Sequence, residues 1–85
     1  MQHDDSMPVF LRARVREAAG LIINYHGDAA IAAPILQDAV TLARDCGNLP
    51  LLRDALQSLG ISQLLQHEYA QAMALFEESE AVARA

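Results

Sequence analysis

Displaced by 40 residues, the chain falls back onto itself: Leu11, Gly20, Ala30, Ala32, Ala43 and Arg44 align with Leu51, Gly60, Ala70, Ala72, Ala83 and Arg84 without a gap. Conservative matches hold the same register, with Leu21 over Ile61, Asp28 over Glu68, Ile35 over Leu75, Leu36 over Phe76 and Leu42 over Val82. An internal period of roughly 20 to 50 residues is the mark of a solenoid, in which each unit buries its apolar face only against its neighbours. A chain of 85 residues holds two such units within a single domain. Residues 1–6 form an N-terminal tail, 7–46 the first repeat and 47–85 the second. That length leaves no room for a large enzyme with its own cofactor domain.

The residues that fill the repeat are helix formers. Sixteen Ala and twelve Leu dominate a composition that is 53% hydrophobic and 20% charged, enough apolar surface to fold, and no run of alternating β-branched residues suggests a strand. Each unit divides into two helices. Ser6 is placed to cap the first, with Pro8 in its opening turn and Leu11, Val15, Ala18, Ala19 and Ile22 as its apolar stripe, until Gly27 ends it. Asp28 is placed to cap the second, whose Ala32, Ile35, Leu36, Ala39 and Ala43 recur at helical spacing. Pro34 inside that pattern predicts a kink or a late start. Asn48, ahead of Pro50, caps a third helix with the stripe Leu52, Ala55, Leu56 and Leu59. After a turn near His67 and Glu68, Tyr69, Ala72, Met73, Phe76 and Ala83 line a fourth. The expected fold is all-α, two antiparallel helix hairpins stacked as a short α-α superhelix.

Leu56, Leu59, Gly60, Tyr69, Ala72 and Phe76 stand at the spacing of the tetratricopeptide repeat (TPR) consensus, which the second unit resembles. Gly60 and Ala72 mark the close approach of two helices, with Phe76 filling the space beside them. The first unit keeps Gly20, Ala32, Leu36 and Ala39 but places Arg16 where a large apolar residue is usual, and Ser79 and Gln63 also depart from the pattern. The segments GDAAIAAPILQDAVTLARDCGN and HEYAQAMALFEESEAVAR are similar to the helical repeats of LuxR/MalT-type (STAND) transcriptional regulators, a resemblance covering residues 11 to 85. In that family the repeats join an ATPase domain to a DNA-binding output domain. The resemblance implies a scaffold or sensor segment of a bacterial signalling regulator, present as a fragment or as a stand-alone relative.

Charge and motif content bound the chemistry. The net charge is −5, all six basic residues are Arg, and no Lys is present, so neither a phosphate-binding loop nor a field that would attract nucleic acid is encoded. A lone Cys46 forms no internal disulfide, the acidic start MQHDDS is unlike a secretory signal, and no uncharged stretch approaches the ~20 residues of a bilayer span. A cytoplasmic protein that neither enters membranes nor binds a cofactor is expected. His26 with Asp28, His67 with Glu68, and the distant Cys46 read as turn residues rather than metal ligands or a nucleophile. Glu77, Glu78 and Glu80 point outward around one helix rather than across a cleft. No catalytic residue is assigned and the chain is not expected to be an enzyme. Leu59, Gly60, Ile61 and Ser62 look like the turn of a helix-turn-helix motif, but between Asp54 and Ala83 there are five carboxylates and no Arg or Lys, a surface that would repel DNA.

The function expected is protein binding. Carried over from TPR arrays, the groove contacts are Arg14, Glu17, Leu21 and Asn24 in the first unit and Asp54, Gln57, Ile61 and Leu64 in the second, a mixed set suited to a peptide or partner helix. The alternative is a small-molecule (inducer) sensing module, with a pocket lined by Leu21, Tyr25 and Ile61. Two repeats without a polar terminal cap leave an open end, and Leu75 and Val82 on the last helix are expected to carry self-association as a homodimer.

Overall fold

The computed structural model describes residues 7–85, so the expected Ser6 cap lies outside the described residues. Four helices follow one another: α1 (Val9–Tyr25), α2 (Ala29–Cys46), α3 (Leu49–Leu65) and α4 (Tyr69–Arg84), with no strand among the described residues. Successive helices pack against each other, and α1 also meets α3. Arg16 meets Asp38 and Gly20 meets Leu36, while Arg53 meets Ser79 and Gly60 meets Phe76, so α1 and α2, and likewise α3 and α4, run antiparallel. The Arg14–Asp54 and Glu17–Ser58 contacts set α1 and α3 parallel, one period apart. The body measures 39 × 31 × 14 Å, which is two helix layers thick.

All three junctions are closed in the same way. Asp28 N–H donates to the Ile23 carbonyl (3.1 Å), Asn48 N–H to Ala43 (3.2 Å) and Glu68 N–H to Gln63 (2.8 Å). Gly27, Gly47 and His67 donate to Asn24, Arg44 and Leu64 beneath them. These are Schellman caps, which need a left-handed residue after each helix. Gly27 (φ 83°) and Gly47 (φ 69°) supply it without a side-chain penalty, whereas the second hairpin uses His67 (φ 65°).

Helix starts differ more. Asn48 accepts from Leu51 N–H through its side-chain oxygen at 3.1 Å and Pro50 sits in the first turn, as the sequence predicts. Asp28 flanks α2, but its carboxylate makes no capping bond; its carbonyl accepts from Ile31 and Ala32 instead. The late start expected at Pro34 is also absent, because α2 begins at Ala29 and runs through the proline to Cys46. The helical bond Pro34 forgoes is that to the carbonyl of exposed Ala30, where water can replace it.

The core is built largely from alanine and leucine: Ala32, Leu36, Ala39 and Ala43 of α2 meet Leu51, Leu52, Ala55, Leu56 and Leu59 of α3. Gly20 and Gly60 occupy matching sites in the two hairpins. A Cβ on Gly20 would lie 2.5 Å from Leu36 Cδ2, and one on Gly60 2.6 Å from Phe76 Cε1, so in both places the facing side chain fills the space a Cβ would take.

Two stripes depart from expectation. On α1 the inward face is Ala13, Glu17, Gly20 and Asn24, while Leu11, Val15, Ala18 and Ile22 face outward. Small residues at 13 and 20 admit the neighbouring helices, and the two polar residues find partners on α3, so hydrophobicity alone selects the wrong face. On α4, Tyr69, Met73 and Ala83 are exposed, while Ala72 and Ser79 are buried; Ser79 Oγ donates to the Arg53 carbonyl at 2.9 Å. Leu75 and Val82, expected to form an exposed strip for self-association, are half-buried and packed against the core.

Candidate functional site

Along the α1–α3 seam the 40-residue offset becomes a set of physical links. Glu17, only 7% exposed, accepts from Ser58 Oγ at 2.9 Å. Asn24, 6% exposed, donates to the Ser58 carbonyl at 3.0 Å and accepts from Ser62 Oγ at 2.7 Å. These buried polar groups are satisfied by each other, and they pin the register of one hairpin on the next. At the rim, Arg14 lies 3.5 Å from Asp54 and 3.6 Å from Glu17, and Arg53 holds the other Asp54 oxygen at 3.0 Å.

Above this floor lies an open trough of about 350 Å³ lined by Glu17, Leu21, Asp54, Gln57, Ser58 and Ile61. The structure thus brings together five of the eight groove residues expected from sequence: Glu17, Leu21, Asp54, Gln57 and Ile61. Arg14 sits at the rim, Asn24 is committed to the inter-helix network, and Leu64 is exposed outside the trough. Ser58 was not foreseen, because a serine between Gln57 and Leu59 gives no signal until its Glu17 partner is known. Leu21 and Ile61 offer apolar walls, Gln57 an amide and Asp54 a carboxylate, a combination able to hold an apolar side chain beside a hydrogen-bonding group.

The pocket expected from Leu21, Tyr25 and Ile61 does not form, since Tyr25 is 93% exposed at the end of α1 and lies outside the trough. A different cleft of about 460 Å³ opens on α2, α3 and α4, its walls including Ala33, Pro34, Leu59, Gln63 and Leu75. Residues 59–62 are interior to α3, so the turn of a helix-turn-helix motif is not there. The departures from the repeat pattern have local partners: Arg16 pairs with Asp38, and Gln63 bonds to Gln71. His26 Nδ1 lies 2.9 Å from the Ile22 carbonyl, a bond at the end of α1, and His67 Nδ1 lies 2.8 Å from Tyr69 Oη.

Among the described residues no group of three or more His, Cys, Asp or Glu is placed to hold a metal ion, and no helix is long and apolar enough to cross a membrane. Cys46 is exposed, its thiol 3.6 Å from the Ala43 carbonyl. No protein-family model, curated protein or solved structure matches the chain.

Proposed function

We propose that the chain is a TPR-like, two-repeat protein-interaction module without catalytic apparatus, acting in the cytoplasm as a scaffold or sensor segment of a bacterial signalling or transcriptional regulator. The observation that carries this reading is the α1–α3 trough, whose walls come from equivalent positions of two hairpins and leave apolar Leu21 and Ile61 beside Asp54 and Gln57. Repetition of one contact pattern along a groove suits an extended or helical peptide, which presents side chains at regular intervals. Both Asp54 oxygens are already held by Arg14 and Arg53, so the Gln57 amide offers the hydrogen-bonding contact beside apolar anchors.

Selection of a random peptide library on the immobilised chain tests it. Enriched peptides should lose binding to Leu21→Asp and Ile61→Asp variants that keep their helical content. Peptides that bind both variants as well as the parent would sink the groove assignment. An inducer-sensing role is the second reading, favoured by the 460 Å³ cleft beside Pro34, where apolar walls meet the Gln63 and Gln37 amides.

A further inference from the structure

The 40-residue shift relates not only the two hairpins but also the surface that α3 buries and the surface that α1 leaves open. Leu51, Ala55, Ser58 and Ser62 are the residues by which α3 seats itself on the first hairpin, and all four are buried. Their counterparts one period earlier, Leu11, Val15, Ala18 and Ile22, form the exposed outer seam of α1, with Val15 at 51% and Ile22 at 59% exposure. The receiving surface is duplicated too. Glu17, Leu36, Val40 and Ala43 are buried where the first hairpin meets α3. One period later Gln57, Phe76, Glu80 and Ala83 line an open cleft of about 460 Å³ between α3 and α4. The molecule therefore carries a plug at one end and a matching socket at the other.

We propose that the chain stacks head to tail on a second copy of itself, the α1 seam of one copy seated in the α3–α4 cleft of the next, in the register that already joins the two hairpins. Charge selects this occupant. Arg12 flanks the plug on α1, while Glu77 and Glu80 line the cleft; Arg14, Arg16 and Glu78 are already paired within the chain, with Asp54, Asp38 and Arg44.

Shifting the internal contacts by one period gives complementary pairs at the rim and in part of the core, while the buried Glu17–Ser58 bond has only Gln57 beside Ala18 as its counterpart. The Arg14–Asp54 pair becomes Asp54 with Arg14 of the next copy, and the Arg44–Glu78 pair (2.9 Å) becomes Arg84 with Asp38 of the next copy. The buried polar pair Asn24–Ser62 becomes the apolar pair Leu64 and Ile22. Val40 and Leu52, which share the α2–α3 core, become Glu80 and Arg12. Arg12 Nε is buried in the single chain with no hydrogen-bond partner among the described residues, and the carboxylate of Glu80 from the next copy would supply one. Such an interface is heterologous and does not close, so it extends beyond a dimer. It shares Asp54 and Gln57 with the α1–α3 trough but uses neither Leu21 nor Ile61, so the Leu21→Asp and Ile61→Asp variants that abolish peptide binding should still stack.

Sedimentation velocity of the 85-residue chain from micromolar to submillimolar concentration provides the test. The average mass should rise with concentration past that of a dimer. Ile22→Asp blocks the plug, and Ala83→Arg fills the socket with bulk and a charge that repels the arginines of α1. Both positions are exposed, and circular dichroism should show native helicity. Each variant alone should associate about thirtyfold more weakly than the parent, as expected for a central interface residue. An equimolar mixture should form a one-to-one dimer and stop, because the plug of one and the socket of the other remain intact. As a second line, Arg84→Glu should weaken stacking by about threefold, and Asp38→Arg in the other partner should restore it. A chain that stays monomeric throughout, as when seam and cleft serve only flanking hairpins, overturns the proposal. So does a closed dimer that both variants still form, or a mixture that remains monomeric.

Discussion

Replacing glycine by alanine inside a helix ordinarily stabilises a protein by about 1 kcal/mol, since alanine is the best helix former and glycine among the worst. Gly20→Ala should do the opposite. The new methyl would stand 2.5 Å from Leu36 Cδ2, more than 1 Å inside van der Waals contact. Leu36 is fully buried, with core on every side, so it has nowhere to move. Overpacking of that kind costs about 1–3 kcal/mol, and a site this closed belongs at the upper end. Offsetting ~3 kcal/mol of strain with ~1 kcal/mol of propensity leaves a net loss of about 2 kcal/mol. For a domain of this size that corresponds to a fall in Tm of roughly 8–16 °C.

Gly60→Ala meets a different neighbour. Its methyl would press on Phe76, which is half-buried and borders the open α3–α4 cleft, so the ring can swing aside and the net change should be close to zero. Urea unfolding followed at 222 nm measures both. A double-mutant cycle sharpens the result, because Leu36→Ala should cost about 1–3 kcal/mol less in the Gly20→Ala background than in the parent. Gly20→Ala more stable than the parent, or strict additivity in the cycle, would refute the close approach of α1 and α2 at this point.

Three further outcomes follow from local geometry. Asn48→Ala removes the side-chain cap of α3 and should lower the free energy of unfolding by about 1 kcal/mol in the same urea assay. Gly27→Ala should destabilise by about 1 kcal/mol, because its φ of 83° is costly for any side chain, whereas His67→Gly at the equivalent turn should be neutral or stabilising by a similar amount. Asn24→Ala should cost about 1–3 kcal/mol by stranding the Ser58 carbonyl and Ser62 hydroxyl, and an Asn24→Leu, Ser62→Ala double variant should recover much of it. Thermal melts of the five variants would show the order.

The four helices, the turns between them and the glycine contacts were legible from the sequence because they depend on local chemistry and on a repeat that needs no structure to detect, whereas Pro34 suggested a late start that α2 does not have. Gly20 and Gly60 align before any fold is known, and Asn48 before Pro50 is a cap on sight. The faces of α1 and α4 were not legible. Leu11, Val15, Ala18 and Ile22 have the spacing of a core stripe, and nothing local reveals that Glu17 and Asn24 occupy the inside instead. Their burial is permitted only by Ser58 and Ser62, residues of another helix that carry no motif. Leu75 and Val82 were misplaced for a related reason: the half-turn between them and Met73 is decided by how closely Gly60 lets α4 approach. The trough was legible in part, since repeat alignment names the positions on α1 and α3 but not which of them are consumed in holding the two helices together.

The position of α3, packed against each of the other three helices, bears on how the molecule comes apart. An outer helix can detach while its neighbours keep their remaining contacts, but loss of α3 dissolves the α2–α3, α3–α4 and α1–α3 interfaces together. Amide hydrogens should therefore exchange slowest along α3, at the rate of global opening, and fastest at the last turn of α4, whose residues from Ala83 onward are exposed. A partner clasped between α1 and α3 would draw on the most persistent part of the fold and leave α4 to breathe.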